Sequence, residues 1–256
     1  MDSLLVERDE GVVTVTMNRP EKKNAVNAAM WRQLHECFLE VAQRATDRVV
    51  VLTGAGGSFC SGADLTPVAA SDDHPLALMR QVADVALALH RIPQPTIAKV
   101  HGMAAGAGCN MALGCDLIVA SDEARFSEIF ARRGLSIDFG GSWLLPRLVG
   151  LHRAKELALL ADIISAKEAL ELGLVNRVVP VVELDNFVDR WARRLAAGPP
   201  IALSMTKSLL NHSLEASLDE ALESEGRCQV VNFSTRDTAE ALLAFTEKRE
   251  PRFQGR

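Results

Sequence analysis

The chain has 256 residues, enough for one large domain or a domain with a helical appendage. Apolar residues make up 48% and charged residues 24%, which fits a globular protein with a sizeable core and excludes a disordered, collagen-like or low-complexity chain. Lys and Arg number 28 against 33 Asp and Glu, a net charge of −5, which argues against partners held by bulk positive charge such as nucleic acid or an anionic membrane surface.

In chain order, Leu4 to Val6 and Val12 to Thr16 are β-branched or apolar runs around the turn signal Asp9-Glu10-Gly11, and predict a hairpin. Asn18-Arg19-Pro20 ends the second strand. Ala28 to Ala42 carries Met30, Leu34, Cys37, Phe38 and Val41 at helical spacing. Arg48 to Thr53 reads as a buried strand that stops at Gly54-Ala55-Gly56-Gly57-Ser58. A helix follows over Leu76 to His90, closed by Pro93 and Pro95, and then a strand over Thr96 to Val100. The small-residue stretch Gly102 to Gly108 leads into another helix. Asp116 to Ala120 is a strand, Ala124 to Phe126 an extended piece, and Ser127 to Arg133 a predicted helix that puts Glu128 in its first turn. Alternating strands and helices predict an α/β fold. After Val175 to Pro180 only helical period remains, over Leu184 to Ala197, Ile201 to His212, Leu214 to Val231 and Thr235 to Glu247. This predicts an α/β core over residues 1–197 and a helical C-terminal section over residues 198–256 that caps the core or makes subunit contacts.

Five cysteines (37, 60, 109, 115 and 228) include no CxxC pair, so buried reduced thiols are expected and structural zinc is not. No apolar run approaches the roughly 20 residues that span a bilayer. The start, Met1 to Arg8, has no basic stretch ahead of an apolar one, so no secretion signal is read and a cytoplasmic location is expected.

Two loops carry candidate chemistry. Gly106-Ala107-Gly108-Cys109-Asn110-Met111 follows a strand and opens a helix, as a dinucleotide fingerprint would, but Met111 stands where the third glycine belongs. Its small residues still allow close approach of a ligand to the backbone. Phe59-Cys60-Ser61-Gly62-Ala63-Asp64-Leu65 is a second loop of the same kind. One backbone N–H from each loop could grip a single oxygen, which is an oxyanion hole.

With these residues in view, the chain resembles the crotonase (enoyl-CoA hydratase/isomerase) superfamily. The stretch from Ile97 to Leu117 looks like the family signature at every constrained position. Asn18-Arg19-Pro20 with Lys22 to Asn27, the Ser61-Gly62-Ala63-Asp64 loop, Gly140 to Arg147, Ala169 to Val178 and the tail Phe245 to Phe253 support it, so the likeness covers nearly the whole chain. The resemblance implies a spiral of strand-strand-helix units with a helical C-terminal part, assembled as trimers or pairs of trimers. It implies acyl-CoA thioester substrates and no separate cofactor, CoA being part of the substrate. By position it makes the N–H groups of Ala63 and Ala107 the oxyanion donors. Lys22 and Ala25, the stretch Asp64, Leu65 and Thr66, and Phe245 with Lys248 fall where the family contacts CoA, Lys248 resembling a lysine that reaches the CoA of an adjacent subunit. Phe130 and Trp143 are candidates for the acyl pocket.

The chain departs from the hydratase branch. Hydratases of the family activate water with two glutamates, and those positions hold Asn110 and Phe130 here. Neither side chain exchanges a proton near neutral pH. Asp138, in Gly134-Leu135-Ser136-Ile137-Asp138-Phe139-Gly140-Gly141, instead resembles the acid of the double-bond and ring isomerases, and Leu135, Ile137, Phe139 and Phe130 are expected to desolvate it. A helix cap or turn is the plain alternative for this aspartate. The leading expectation is an enoyl-CoA isomerase with Asp138 as base. The alternatives are an enoyl-CoA hydratase of fatty-acid or aromatic-acid degradation and a non-catalytic acyl-CoA binder.

Overall fold

The computed structural model describes residues 2–65 and 74–256. Strand β1 (Leu4–Asp9) turns at Glu10 and Gly11, both at positive φ (46° and 85°), into antiparallel β2 (Val12–Met17). Positive φ at both residues of a two-residue loop matches the right-handed twist of the strands it joins. Helix α1 (Ala28–Gln43) is capped by Asn27, whose side chain accepts from the Met30 N–H, and it leads to β3 (Val49–Gly54). Helix α2 (Pro75–Arg91) precedes β4 (Thr96–Val100), β5 (Met103–Ala105) and α3 (Ala107–Leu113). Strands β6 (Leu117–Ser121) and β7 (Arg125–Ser127) then repeat the strand-strand step.

A six-stranded sheet runs in the order β1-β2-β3-β4-β6, with β9 (Arg177–Val179) at its edge, parallel throughout except for the opening hairpin. Strands β5 and β7 leave it to form a second, three-stranded sheet with β8 (Ile164–Ser165). The chain therefore climbs from one sheet to the other within each unit, which is the expected spiral. Gly102 makes the first corner. It sits at φ +56°, and a Cβ there would lie 2.0 Å from the Gly57 carbonyl oxygen, so only glycine lets the two loops touch.

Alternation along β3 explains how the large sheet is covered. Val50 and Leu52 face α1, α2 and α3 in the main core, whose largest fully buried side chains include Trp31, Phe38, Met30 and Met111. Val49 and Val51 face the other way, and with Val12, Ile97, Val119 and Val179 they pack under α6 (Leu184–Ala196) through Leu184, Val188 and Ala192. A strand buried on both faces reads as an unbroken apolar run, as this one does.

Helix α4 (Gly141–Leu160) is not among the predicted elements, because Pro146 and the non-helical Gly150 (φ 76°, ψ 160°) interrupt its period. Helix α5 (Ala166–Glu171) is also absent from the sequence expectations; it is a single short piece with a Ser165/Glu168 capping box. The helix expected over Ser127 to Arg133 is a 3-10 turn, Ile129–Arg133, with Glu128 just before it. Three helices close the chain: α7 (Pro200–His212), α8 (Leu218–Phe233) and α9 (Arg236–Glu247). Helix α8 starts at Leu218 rather than Leu214, since Ser217 and Glu220 form its capping box. Lys207 ties α7 to the core by pairing with Asp116 at 2.8 Å and donating to the Gln94 carbonyl at 3.1 Å. Among the described residues no helix is long and apolar enough to cross a membrane.

The Gly102 corner yields a stability test. Gly102→Ala adds positive-φ strain and a backbone clash, and should cost about 2–3 kcal/mol of unfolding free energy in urea melts. A loss below about 0.5 kcal/mol would show that the corner relaxes freely.

Candidate active site

The site is built where the two loops meet. Main-chain hydrogen bonds join them like strands: Phe59 N–H to the His101 carbonyl at 2.8 Å, Cys60 N–H to Met103 at 3.0 Å and Ala105 N–H to Cys60 at 2.9 Å. Two glycines permit the approach. A Cβ on Gly108 would lie 2.4 Å from the Cys60 carbonyl oxygen, and one on Gly62, at φ +99°, would lie 2.9 Å from that of Ala105. That same point is 3.6 Å from the Ala107 nitrogen, so the Ala63 loop and the start of α3 are neighbours.

The hydrogen bonds that flank Ala63 use the residues on either side of it. Val26 N–H donates to Gly62 and Asp64 N–H donates to Val26. Before Ala107, Gly106 N–H donates to Ser127 at 2.9 Å. The N–H groups of Ala63 and Ala107 are not consumed by these contacts. As the first residue of α3, Ala107 has no partner one turn earlier in the helix.

Asn24 holds the first loop from below. It is fully buried at φ 56°, its amide donates to the carbonyls of Ala55 (2.8 Å) and Ser58 (2.7 Å), and its oxygen accepts from the Arg19 N–H (2.9 Å). Arg19 in turn donates to the Ala25 carbonyl at 2.6 Å and pairs with Asp64 at 2.9 Å. Lys22 ends the 3-10 turn Pro20–Lys22, and its carbonyl accepts from Ser61 Oγ at 3.2 Å. Lys22, Ala25, Asp64 and Leu65 are therefore gathered beside the Ala63 loop, while Thr66 lies outside the described residues. His101 accounts for itself structurally, with Nε2 2.9 Å from the Gly56 carbonyl oxygen.

The second half of the site is a buried polar cluster on α3 and the segment ahead of α4. Asn110, wholly inaccessible, donates from Nδ2 to Glu128 Oε2 at 3.3 Å and to the main-chain oxygen of Asp138 at 3.0 Å. Gly141 must stay glycine for this fit, since a Cβ there would meet the Asn110 amide at 2.3–2.5 Å. Asp138 opens a tight turn in which its carbonyl accepts from the Gly141 N–H at 2.9 Å and the two central residues, Phe139 and Gly140, have φ of 49° and 77°. Positive φ is uncommon for a bulky residue such as Phe139, and its ring is held by stacking on Trp31, with centroids 5.6 Å apart.

The Asp138 side chain caps no helix. Gly140 is the N-cap residue of α4, and Asp138 Oδ1 is buried without a partner. Burial pushes the Asp138 carboxyl up to about 6. Leu135, expected to shield it, is 48% exposed, whereas Phe130 and Phe139 are buried.

Glu128 is a correction to the expectation of a first-turn helix residue, since it stands just before the 3-10 turn and is buried. It is 3% exposed, its Oε1 has no partner, and desolvation first, with Asp138 adding repulsion, raises its pKa to about 7 against hydrogen bonds from Cys109 and Asn110. No sequence motif marks this role. A glutamate before Ile129 and Phe130 was the available signal, since a charge beside apolar residues is costly to bury unless it works there.

Phe130 lies against the Ala107 loop, its ring tip 3.6 Å from where a Cβ on Gly106 would stand. Trp143 is half-buried and engaged on three sides: Arg147 over its face at 4.1 Å, the His90 ring against it edge to face, and Nε1 donating to Glu215 at 3.2 Å. Phe245 is 85% exposed near the end of α9, and Lys248 follows at that helix's C-cap. The structure thus gathers Ala63, Ala107, Phe130 and Asp138 through the packed loops and Asn110, and leaves Phe245 and Lys248 at an outer surface. Among the described residues no group of three or more His, Cys, Asp or Glu is arranged to hold a metal ion.

The raised Glu128 value has a stability consequence. A carboxyl held neutral in the fold costs nothing below its ordinary value near 4.5, but the fold must carry a buried charge as pH rises through about 7. Relative to Glu128→Gln, the wild-type chain should therefore lose on the order of 3 kcal/mol of stability between those limits. Melting curves taken across this range check it, and parallel pH dependences for the two proteins would refute it.

Comparison with known proteins places the fold and the sequence in one family. The family model described as enoyl-CoA hydratase/isomerase matches residues 7–256. The chain is 38% identical over 261 residues to the 1,2-epoxyphenylacetyl-CoA isomerase of Escherichia coli (strain K12), with all of both chains covered. It is 34% identical over 252 residues to the short-chain-enoyl-CoA hydratase of Clostridium acetobutylicum, covering 98% of this chain and 97% of that one. Among solved structures, the enoyl-CoA hydratase of Bacillus anthracis superposes with a TM-score of 0.96 at 32% identity over the whole of both chains. That of Mycobacterium smegmatis gives 0.93 at 38% identity, with 99% of each chain covered. A match over almost the full sequence, joined to the same fold, means that this chain belongs to the enoyl-CoA hydratase/isomerase, or crotonase, family.

Proposed function

We propose that this enzyme is an enoyl-CoA isomerase in which Asp138 carries a proton between two carbons of the acyl chain. The observation that supports it best is the Asp138 carboxyl itself: largely buried, with Oδ1 spent on no hydrogen bond, and with a proton affinity raised toward neutrality. Asn110, in the place of a hydratase glutamate, can hold a carbonyl or carboxyl but cannot take a proton.

The reaction balances with one acid. The N–H groups of Ala63 and Ala107 donate hydrogen bonds to the thioester oxygen. Asp138, ionised, removes a proton from the α-carbon of a 3-enoyl thioester, and the electron pair moves onto that oxygen as a dienolate. Each oxyanion donor contributes about 3–4 kcal/mol to stabilising it. The protonated Asp138 then returns the same proton to the γ-carbon, the charge flows back, and a 2-enoyl thioester leaves. Lys22, Ala25, Asp64 and Leu65 line the approach for CoA, and Phe130 and Trp143 bound the acyl chain. Assembly as a homotrimer or a pair of trimers belongs to this reading, which the exposed Leu210, Leu218, Leu242 and Phe245 of the C-terminal helices support.

A second reading, hydration of a 2-enoyl thioester, is favoured by one observation: Glu128 adds a second buried carboxyl next to Asn110. The two readings part in assays with 3-enoyl-CoA and 2-enoyl-CoA. Asp138→Asn should cut isomerisation by about 10²- to 10⁴-fold while leaving acyl-CoA affinity within a few-fold. In the unaltered enzyme kcat/KM should rise through about pH 6, as Asp138 loses its proton. Fast hydration that survives Asp138→Asn would overturn the isomerase reading, and thioester binding with turnover of neither substrate would make the protein a binder.

A further inference from the structure

The cluster around Asn110 is short of hydrogen-bond donors. Its NH2 group provides two, one to Glu128 and one to the Asp138 carbonyl, and the Cys109 thiol adds a weak third to Glu128. Against these stand three buried oxygens with no partner among the described residues: Asn110 Oδ1, Glu128 Oε1 and Asp138 Oδ1. The groups that act on Glu128 are Cys109 and Asn110 from α3 and Asp138 from the turn ahead of α4, and none brings a positive charge. Two ionised carboxylates here would repel each other and leave several acceptors bare. A proton retained on one of them removes the repulsion and turns an orphan acceptor into a donor. Glu128 is the more deeply buried of the two and is anchored by its side chain, whereas Asp138 is held only by its main chain.

We propose that Glu128 is a positioning residue that stays protonated in the resting site: its neutral carboxyl anchors the Asn110 amide, which fixes the main-chain carbonyl of Asp138 and leaves Asp138 the charged member of the pair. This rests on Asp138 being the base. It adds a division of labour, in which one carboxyl moves the proton and the other holds the turn that aims it. The glutamate never touches the substrate and acts through Asn110. The steep burial cost of a second charge, seen in the raised Glu128 value, points the same way.

The test uses the full chain with Glu128→Gln, Glu128→Ala and Asp138→Asn. Infrared spectra taken between the Asp138 titration near pH 6 and the Glu128 titration near pH 7 should show a protonated-carboxyl stretch in the wild-type and Asp138→Asn proteins that is missing from Glu128→Gln. With a 3-enoyl-CoA, Glu128→Ala should lower kcat by about tenfold to a hundredfold with KM changed no more than about threefold, because the base is misaimed while the thioester grip is intact. Glu128→Gln, which keeps the acceptor for Asn110 and replaces the O–H with an N–H, should restore most of that loss. The proposal fails if the stretch is missing from the wild-type protein, if Glu128→Gln is as damaged as Glu128→Ala, or if Glu128→Ala turns over at the wild-type rate. Should Glu128→Ala not fold, the infrared result and the kcat of Glu128→Gln decide. Isomerisation that survives Asp138→Asn would sink the base assignment instead, and the infrared band separates that failure from this one.

Discussion

The site depends on two loops brought together by main-chain contact alone. The hydrogen bonds of Phe59, Cys60 and Ala105 tie the Cys60–Ala63 segment to the Met103–Ala107 segment, and Gly62, Gly102 and Gly108 leave no side chain between them. Because the ladder engages the residues around Ala63 and Ala107 and passes over those two amides, it holds a pair of N–H groups in fixed relation. In the proposed reaction these are the oxyanion donors, and a polar group already held in place needs no reorganisation when charge develops. The Asn24 clamp below and the Arg19–Asp64 pair beside it stiffen the same loop.

Across from this rigid half lies a site governed by desolvation. Asn110, Glu128 and Asp138 sit at the junction of α3, the 3-10 turn after Glu128 and the Asp138–Gly141 turn, with aromatic rings of Phe130 and Phe139 buried nearby. With no cation among the groups acting on them, burial shifts both carboxyls upward rather than down. The Phe139 turn, held in an uncommon conformation by the Trp31 stack, fixes the main chain that carries Asp138. Strain in the backbone and unpaired oxygens in the side chains thus concentrate in the same few residues, a pairing expected where a structure serves chemistry rather than stability.

Much of the architecture was legible from pattern. The hairpin, the buried β3 run and the helical spacing of α1 follow from period and turn chemistry, and each recurs in the structure, with β1 running three residues further than its apolar run. Helix α4 was not legible, because Pro146 and Gly150 break its period while its ends are set by packing on Asn110 and by the left-handed Ala161. Among candidate site residues, Ala63, Ala107 and Asp138 could be picked out through a likeness between ordered motifs. The burial of Glu128 could not, since a glutamate ahead of a short turn carries nearly the same local signal whether it faces water or the interior.

What the sequence determined by itself was the set of local choices: where strands and helices alternate, where turns break them, and which ordered motifs carry the family likeness. What only the tertiary structure decided was the partnership of groups far apart in the chain. Asn110 and Glu128 are 18 residues apart and Asn110 and Asp138 are 28, and one amide bridges both. Proton affinity is set by the dielectric and the donors around a carboxyl, and those neighbours are assembled only when helix, turn and loop are packed together.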